Sequence, residues 1–232
     1  MNETFARDEI CRIGKSLFDR GYVHSTAGNI SVALDADDGG GFLITPTDAC
    51  LGFLNVAALA KLDSNLRQIS GDHASKTSFL HQQIYATARA LGEDVQCIVH
   101  THSTHCVALS LQPALTSGNE LLPPITPYFV MKVGHVPVID YQRPGDLAVA
   151  EQVVQAMRDY VDRGTAIRAV MLARLGPVVW HSSPGKAMAT LEELEETARL
   201  WHLACSGSTA RAHSSLSDNA IAALREAFAA RW

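Results

Sequence analysis

The sequence predicts an α/β domain in which helices cover both faces of a sheet. Segments whose apolar residues recur at helical spacing alternate along the chain with short runs of β-prone residues. Residues 185–205 are the clearest example of the first kind, and residues 96–102 (QCIVHTH) are an example of the second. Interleaving of this type is typical of helices packed on a central sheet. The chain has 232 residues, of which 47% are apolar, so one domain over residues 1–232 can bury a sizeable core.

The N-terminal part of the chain is predicted to form a helix, two strands and a further short helix. Residues 6–20 carry apolar residues on one helical stripe, and Gly21 ends that helix. Residues 28–34 and 41–46 alternate or run apolar, and the Asp- and Gly-rich sequence between them predicts a turn. Residues 55–62 are expected to form a short helix.

The middle of the chain is predicted to pass from a helix through a strand into a loop. Apolar residues recur at helical spacing over residues 76–91, and the β-prone run 96–102 follows them. Residues 103–112 are expected to continue as a helix. Four prolines in residues 113–127 predict an extended loop, and residues 128–139 suggest strand content.

The C-terminal part is predicted to contain two helices around a pair of strands, and then a helical tail. Residues 145–162 carry valines at helical spacing, and residues 168–180 read as two apolar strands broken at a Leu-Gly-Pro sequence. The helix at 185–205 has Ser183 as its expected N-cap. The tail, residues 206–232, is expected to consist of a linker and a short amphipathic helix.

Composition excludes several classes of function. The net charge is −5 and no basic run occurs, so nucleic-acid binding has no electrostatic basis. No apolar run approaches the roughly 20 residues that span a bilayer, and the N-terminus does not resemble a secretory signal. The five cysteines are scattered without a CxxC pair. We therefore expect a cytoplasmic protein with reduced thiols and no membrane partner.

The sequence His-Thr-His is the best candidate for a metal site. Residues at positions i and i+2 of a strand point to the same face, so His100 and His102 can converge on one ion. An exposed polar pair, or core histidines with hydrogen-bond partners, is the plain structural alternative. The apolar run before His100 favours burial, and buried imidazoles need partners. His105 is interpreted as a supporting or structural residue.

Three hydroxyl-rich loops could bind an anion. Residues 25–31 place small and hydroxyl side chains around a glycine, where backbone N–H groups can surround an anion. Residues 45–48 form a similar loop, and residues 75–77 precede a helix with Lys76 among them. Ordinary turns, and helix capping by Ser75, are the structural alternatives at these places.

The order of these motifs resembles the class II aldolase/adducin family over residues 8–205. The features that carry the resemblance are, in chain order, TAGNIS, LITPT, SK before a helix with a histidine, IVHTHSTH, LGPVV and EELEETARL. Further features are similar to the branch of 3-oxo-tetronate 4-phosphate decarboxylases, namely HSTH with ALS, LPPITPY, YQRPGD and EELEETA.

The resemblance implies a fold, a reaction and a set of site residues. The fold is a three-layer α/β/α arrangement with a central mixed, largely antiparallel sheet. The reaction is metal-dependent cleavage of a C–C bond in a small sugar-acid or sugar phosphate derivative, through an enediolate that a divalent ion, expected to be zinc, stabilises. His100 and His102 match two metal ligands, and Tyr128 matches a tyrosine used in proton transfer. Family contacts to phosphate fall on Thr26, Gly28, Asn29, Thr45, Thr47, Ser75 and Lys76. The implied assembly is a homotetramer with sites between subunits.

Three positions depart from the family pattern. An Arg-Leu-Gly sequence stands where the family has Asn-His-Gly, so Leu175, which cannot coordinate an ion, occupies the third ligand position. Thr77 replaces the acid/base glutamate four residues before His81, and a hydroxyl is no carboxylate base near neutral pH. Asp48 replaces a glycine, and its charge should oppose a bound phosphate.

These departures leave three hypotheses open. The chain is a metal-dependent aldolase or decarboxylase, or a catalytically degenerate member with a binding or structural role, or a different metal enzyme with a rebuilt site. Catalytic zinc usually has three protein ligands, so the first and third hypotheses require a substitute for the missing imidazole. Candidate substitutes are His24, His73, His181 and a residue of a neighbouring subunit.

Overall fold

A computed structural model describes residues 1–112, 119–205 and 215–232 and contains an eight-stranded mixed sheet. The strands are β1 (Asn29–Ala33), β2 (Phe42–Ile44), β3 (Ala60–Leu62), β4 (Gln68–Ser70), β5 (Cys97–His100), β6 (Val138–Ile139), β7 (Ala169–Leu172) and β8 (Gly176–His181). Their spatial order is β4-β3-β2-β1-β5-β8-β7-β6. The pair β6–β7 is parallel and the other neighbours are antiparallel, as predicted.

Helices cover both faces of this sheet, which confirms the three-layer α/β/α fold. The helices are α1 (Glu3–Asp19), α2 (Ser78–Ala90), α3 (Thr104–Ser110), α4 (Leu147–Asp162), α5 (Pro184–Cys205) and α6 (Asp218–Phe228). One buried cluster joins α1, α3 and α5 to the sheet, and a second joins α2 and α4 to the opposite face. Strand β5 serves both clusters because its side chains alternate: Cys97 and Val99 belong to the first, and Ile98 belongs to the second.

One predicted element is wrong in type, and another is only partly confirmed. Residues 55–62 form a short 3₁₀ turn, Val56–Ala58, and then strand β3, rather than a helix. This segment forms a strand because it pairs with β2. Ala60 and Leu62, two residues apart, both pack into the core, and this burial outweighs a weak local preference for the strand conformation. The suggested strand content at 128–139 is limited to β6, since Phe129–Val133 is a π-helical turn that buries Phe129, Val130 and Val133.

Strand β4 was not predicted, because all three of its residues are exposed and show no apolar alternation. The predicted loop 113–127 and linker 206–217 fall partly on residues 113–118 and 206–214, which lie outside the described residues. The expected N-cap is confirmed: the backbone N–H of Lys186 donates to Ser183 Oγ at 3.3 Å.

The end of the chain packs back onto the domain body. Trp232 stacks on His135 with 4.2 Å between ring centroids, and it meets Phe129 edge-on. Arg231 Nη1 lies 2.6 Å from Glu93 Oε2 and so ties the tail to the segment before β5. Among the described helices, none is both long and apolar enough to cross a membrane.

Candidate active site

A cavity of about 980 Å³, including the part open to solvent, lies where β1 begins, β5 ends and α2 begins. Most of the residues predicted for the site line it, although they come from distant parts of the sequence. These residues are Thr26, Gly28, Asn29, Thr47, Ser75, Lys76, His100 and His102. Thr45 and Tyr128 do not line it.

The two histidines lie side by side at the end of β5. Their ring centroids are 5.0 Å apart. His100 is only 5% exposed, and its Nδ1 lies 2.9 Å from the carbonyl oxygen of Pro177 on β8. Because a carbonyl oxygen can only accept, Nδ1 carries the proton and Nε2 keeps a free lone pair. This tautomer makes His100 an acceptor or a metal ligand.

Burial keeps both imidazoles neutral near pH 7. It lowers the pKa of His100 to about 4, with a smaller effect of His102 in the same direction and an opposing effect of the hydrogen bond to Pro177. It also lowers the pKa of His102, and His24 contributes to that shift. Two neutral rings with a lone pair available suit the binding of a cation or of a substrate hydroxyl.

A third histidine, His81 on α2, lies behind the pair. It is completely buried, and burial, with a smaller effect of His100, lowers its pKa to about 3. Its Nδ1 is 2.7 Å from Ser31 Oγ, which in turn is 2.8 Å from the hydroxyl of Tyr85. His81 Nε2 has no hydrogen-bond partner among the described residues. This chain of polar groups supports the sheet beside His100.

A glycine lets the first loop approach the histidines. Gly28 has a φ of +85°, and a Cβ added there would lie 2.7 Å from the carbonyl oxygen of His100. Larger residues are therefore excluded both by conformation and by space. The next residue, Asn29, pairs with His100 in the β1–β5 register. This close approach places Thr26, Gly28 and Asn29 on the cavity wall.

The loop at residues 45–48 and the loop at residues 75–77 also contribute residues to the cavity. Thr45 is completely buried, and its Oγ1 accepts a 3.2 Å hydrogen bond from the backbone N–H of Ile30. Thr45 therefore joins β2 to β1, while Thr47 lines the cavity. At the start of α2, Ser75 Oγ is 3.0 Å from Thr77 Oγ1, and Lys76 lies between them in sequence. This helix N-terminus and the Lys76 cation both favour an anion.

All three positions that depart from the family pattern face the same cavity. Asp48, Thr77 and Leu175 line it, together with apolar residues that include Phe79 and Leu172. Leu175 lies in the turn between β7 and β8, beside the histidine pair. The wall that would carry a third imidazole is therefore apolar.

The described residues of one chain do not complete a metal site. No group of three or more His, Cys, Asp or Glu side chains in the described ranges is placed to hold an ion. His181 pairs with Cys97 at the opposite end of β5, and it lines another cavity. His24 affects the pKa of His102 but does not line the candidate site, and neither does His73. Of the predicted ligands, His100 and His102 line the cavity, and no third candidate from the same chain joins them within the described ranges.

Arg143 is a cavity residue that the sequence interpretation did not assign to the site. It lies in the loop before α4, where its Nε is 3.2 Å from Asp146 Oδ2 and its side chain is 80% exposed. A Cβ added to Gly145 would lie 3.7 Å from Lys76 Cβ, so the loop runs directly beside Lys76. The YQRPGD stretch supplied only a family likeness, and no local spacing connects it to Lys76.

Tyr128 is 60% exposed and lies just before the π-helical turn. It does not line the cavity of its own chain.

Comparison with known proteins gives a consistent assignment. The family described as Class II Aldolase and Adducin N-terminal domain matches residues 8–202. A 3-oxo-tetronate 4-phosphate decarboxylase of Cupriavidus necator is 50% identical over 230 residues, which cover 99% of each chain. The protein of the same name from Escherichia coli K12 is 39% identical over 85% of this chain and 86% of its own length.

Solved structures show the same fold. The crystal structure of YgbL from Escherichia coli matches with a TM-score of 0.83 and 35% identity, covering 96% of this chain and 99% of that one. An L-fuculose 1-phosphate aldolase matches with a TM-score of 0.77 over 97% of this chain and 96% of its own, at 23% identity.

Proposed function

Because this chain belongs to the class II aldolase and adducin family, we propose that it is a lyase that decarboxylates a small phosphorylated 3-oxo sugar acid. The main support for the proposal is that the His100–His102 pair and two cations, Lys76 and Arg143, line the same cavity. The full-length similarity to a 3-oxo-tetronate 4-phosphate decarboxylase supports this substrate class.

The charges at the rim favour an anionic substrate. Lys76 and the N-terminus of α2 can hold a phosphate, and the fork of donors on Arg143 can bind a phosphate or a carboxylate. Asp48 opposes them from the neighbouring loop. A substrate with an anionic group at each end matches two cations better than a neutral sugar does.

The replacement of the acid/base glutamate by Thr77 favours decarboxylation over aldol cleavage. When a 3-oxo acid loses CO₂, the C1–C2 bond breaks and its electron pair passes to the C3 carbonyl oxygen as an enolate. No proton is removed in that step, and the enolate carbon takes up a proton afterwards. Aldol cleavage instead needs a base for the substrate hydroxyl, and Thr77 cannot supply one.

The proposal also includes dependence on a divalent metal ion. Class II aldolases are metal dependent, and His100 and His102 are the imidazoles that would bind the ion, with zinc expected. Because Leu175 cannot coordinate, one chain offers fewer than the three protein ligands that catalytic zinc usually has. Elemental analysis of untagged protein tests this point. Metal at near-stoichiometric level that is lost in the His100→Ala, His102→Ala variant would require a further ligand.

A second candidate is a catalytically degenerate protein that binds its ligand without cleaving it. Asp48, Thr77 and Leu175 support it, because all three line the cavity. This candidate predicts that the chain binds the phosphorylated acid and releases no CO₂.

The assembly and location follow from the family resemblance. We infer a homotetramer in the cytoplasm, in which Tyr128 serves the cavity of a neighbouring chain. Its exposure supports this arrangement, and so does the fact that it does not line the cavity of its own chain.

The direct test is product analysis with 3-oxo-tetronate 4-phosphate. We expect CO₂ and a three-carbon keto phosphate, formed faster than in buffer alone. Lys76→Met should weaken substrate binding, while Lys15→Met, at a surface lysine paired with Asp19, serves as the matched control. Binding without CO₂ release would favour the second candidate, and release of aldol fragments would contradict decarboxylation.

A further inference from the structure

A second cavity, of about 460 Å³, lies at the opposite end of the sheet from the His100–His102 pair. It opens beside the start of β7 and the end of β8, where His181 pairs with Cys97. Cys97 and His100 are three residues apart on β5, which corresponds to roughly 10 Å along the strand. The second cavity is therefore separate from the candidate active site.

Basic groups from three parts of the chain converge on this cavity. Arg168 precedes β7, His181 ends β8, and Arg231 comes from the C-terminal tail. Lys186 on α5 is close enough to act on His181, and its Nζ donates to Ser182 Oγ at 3.3 Å. Because these residues are far apart in the sequence, it is the fold that brings them together.

The acidic residues near this cavity already have partners. Glu93 pairs with Arg231 at 2.6 Å, and Asp94 Oδ1 accepts a hydrogen bond from Gln96 Nε2 at 3.2 Å. Arg168 is half-buried, and its guanidinium makes no hydrogen bond or ion pair within the described ranges. A half-buried guanidinium without a partner is costly, because buried charges are normally paired.

The local field around this cluster is positive. Burial lowers the pKa of Arg168, and the effect of Arg231 in the same direction exceeds the opposing effect of Glu93. Burial, together with smaller effects of Arg168, Lys186 and Arg231, also lowers the pKa of His181 to about 4, and Asp94 opposes these effects. At both groups the cations outweigh the acids.

We propose that this cavity binds a small tetrahedral oxyanion, a phosphate group, through Arg168 and Arg231. The planar fork of Arg168 can donate two parallel hydrogen bonds to phosphate oxygens. Arg231 would contribute from the tail, so a bound phosphate would bridge the tail and the sheet. The ligand would satisfy the one cavity cation that has no partner among the described residues.

Titration of the full chain with inorganic phosphate, at constant ionic strength, tests the proposal. The Lys76→Met, Arg143→Met background removes both cations of the candidate active site, and the part of the remaining binding that depends on Arg168 reports the second cavity. In that background we expect Arg168→Met to weaken phosphate binding by about tenfold or more. Arg168→Lys keeps the charge but not the fork, and we expect an intermediate loss. This variant preserves the test if Arg168→Met fails to fold.

Two results would overturn the proposal. One is that the Lys76→Met, Arg143→Met background binds no phosphate, and the other is that neither Arg168 variant changes its binding. Repeating the titration with glycerol 3-phosphate separates the sources of the ligand. Equal affinity for the two compounds would identify free phosphate as the ligand. Tighter binding of glycerol 3-phosphate would identify a phosphorylated metabolite, and either result supports the site.

Discussion

At the scale of single residues, Asp48 combines a negative charge, which opposes the proposed ligand, with a backbone conformation that few residue types adopt. Its carboxylate lines the cavity that holds Lys76, and its backbone adopts a φ of +56°. This left-handed conformation favours Gly and is tolerated by Asn and Asp. Asp48 therefore tunes the charge of the cavity at a position where few side chains are accepted.

Removing the charge at position 48 should tighten phosphate binding. Because Asn tolerates the same backbone conformation, Asp48→Asn isolates the charge, and we expect affinity for the phosphorylated substrate to rise roughly threefold to tenfold. Calorimetry with substrate or product measures the change. Asp63→Asn, in a turn that does not line the cavity, is a control for net charge. Unchanged affinity would show that the carboxylate does not act on the ligand.

Restoring the metal-ligand histidine and the glutamate of the family pattern should tighten metal binding. Leu175→His places an imidazole on the wall beside His100 and His102, and Thr77→Glu adds a carboxylate to the same cavity. Three protein ligands are the usual set for catalytic zinc, so we expect the double variant to bind zinc more tightly. Competition with a chelating dye measures it. No gain would contradict the view that the site lost a ligand.

Sequence predicted the histidine pair and Lys76, but not Arg143. The proximity of His100 and His102 was predicted from the two-residue period of a strand, which is local, although β5 ends at His100. Arg143 could not be found in this way, because its approach to Lys76 depends on how the loop before α4 meets the start of α2. Thr45 was predicted to line the cavity because it belongs to the LITPT motif of the family resemblance. Its hydroxyl instead accepts a hydrogen bond from the backbone N–H of Ile30 within the sheet.

At the scale of elements, α5 holds the start of α3 through one buried carboxylate. Glu195 is 8% exposed, and its two oxygens accept the backbone N–H groups of His105 and Cys106 at 2.8 and 3.0 Å. Helix α3 begins two residues after His102. The EELEETA motif therefore supports the histidine segment from a distant part of the sequence.

Truncation of this carboxylate should destabilise the domain. Glu195→Ala leaves two buried N–H groups without their charged acceptor, and we expect a loss of about 3 kcal/mol in the free energy of unfolding. Chemical denaturation measures it. The neighbouring Glu196→Ala is the matched control, because Glu196 forms a surface pair with Arg199 and should matter little. Equal effects of the two substitutions would rule out the support role.

Predictions were correct for elements with several turns of helical periodicity, and they were wrong where strand pairing determines the conformation. Helices α1, α2, α4 and α5 carry several turns of apolar spacing, so their type was clear. Strand β3 is three residues long, and its conformation depends on β2. Short segments of this kind take their structure from neighbours that local sequence does not identify.

At the scale of the whole molecule, we propose that residues of more than one chain form each site. Tyr128 is exposed and lies outside the cavity of its own chain, while the histidine pair lies inside it. If sites form between subunits, inactive chains with different defects can complement each other. We expect mixtures of Tyr128→Phe and His100→Ala chains, unfolded and refolded together, to regain part of the activity that each lacks alone. Refolded single variants are the control, and no recovery would contradict a shared site.

The most direct test of the account is the initial rate of CO₂ release from 3-oxo-tetronate 4-phosphate. It is measured in parallel for the wild-type chain and for the His100→Ala, His102→Ala variant, with folding checked by circular dichroism. The account predicts catalysed release by the wild type and a loss of at least about a hundredfold in the variant. Equal rates for the two proteins, or no release above buffer by the wild type, would contradict it.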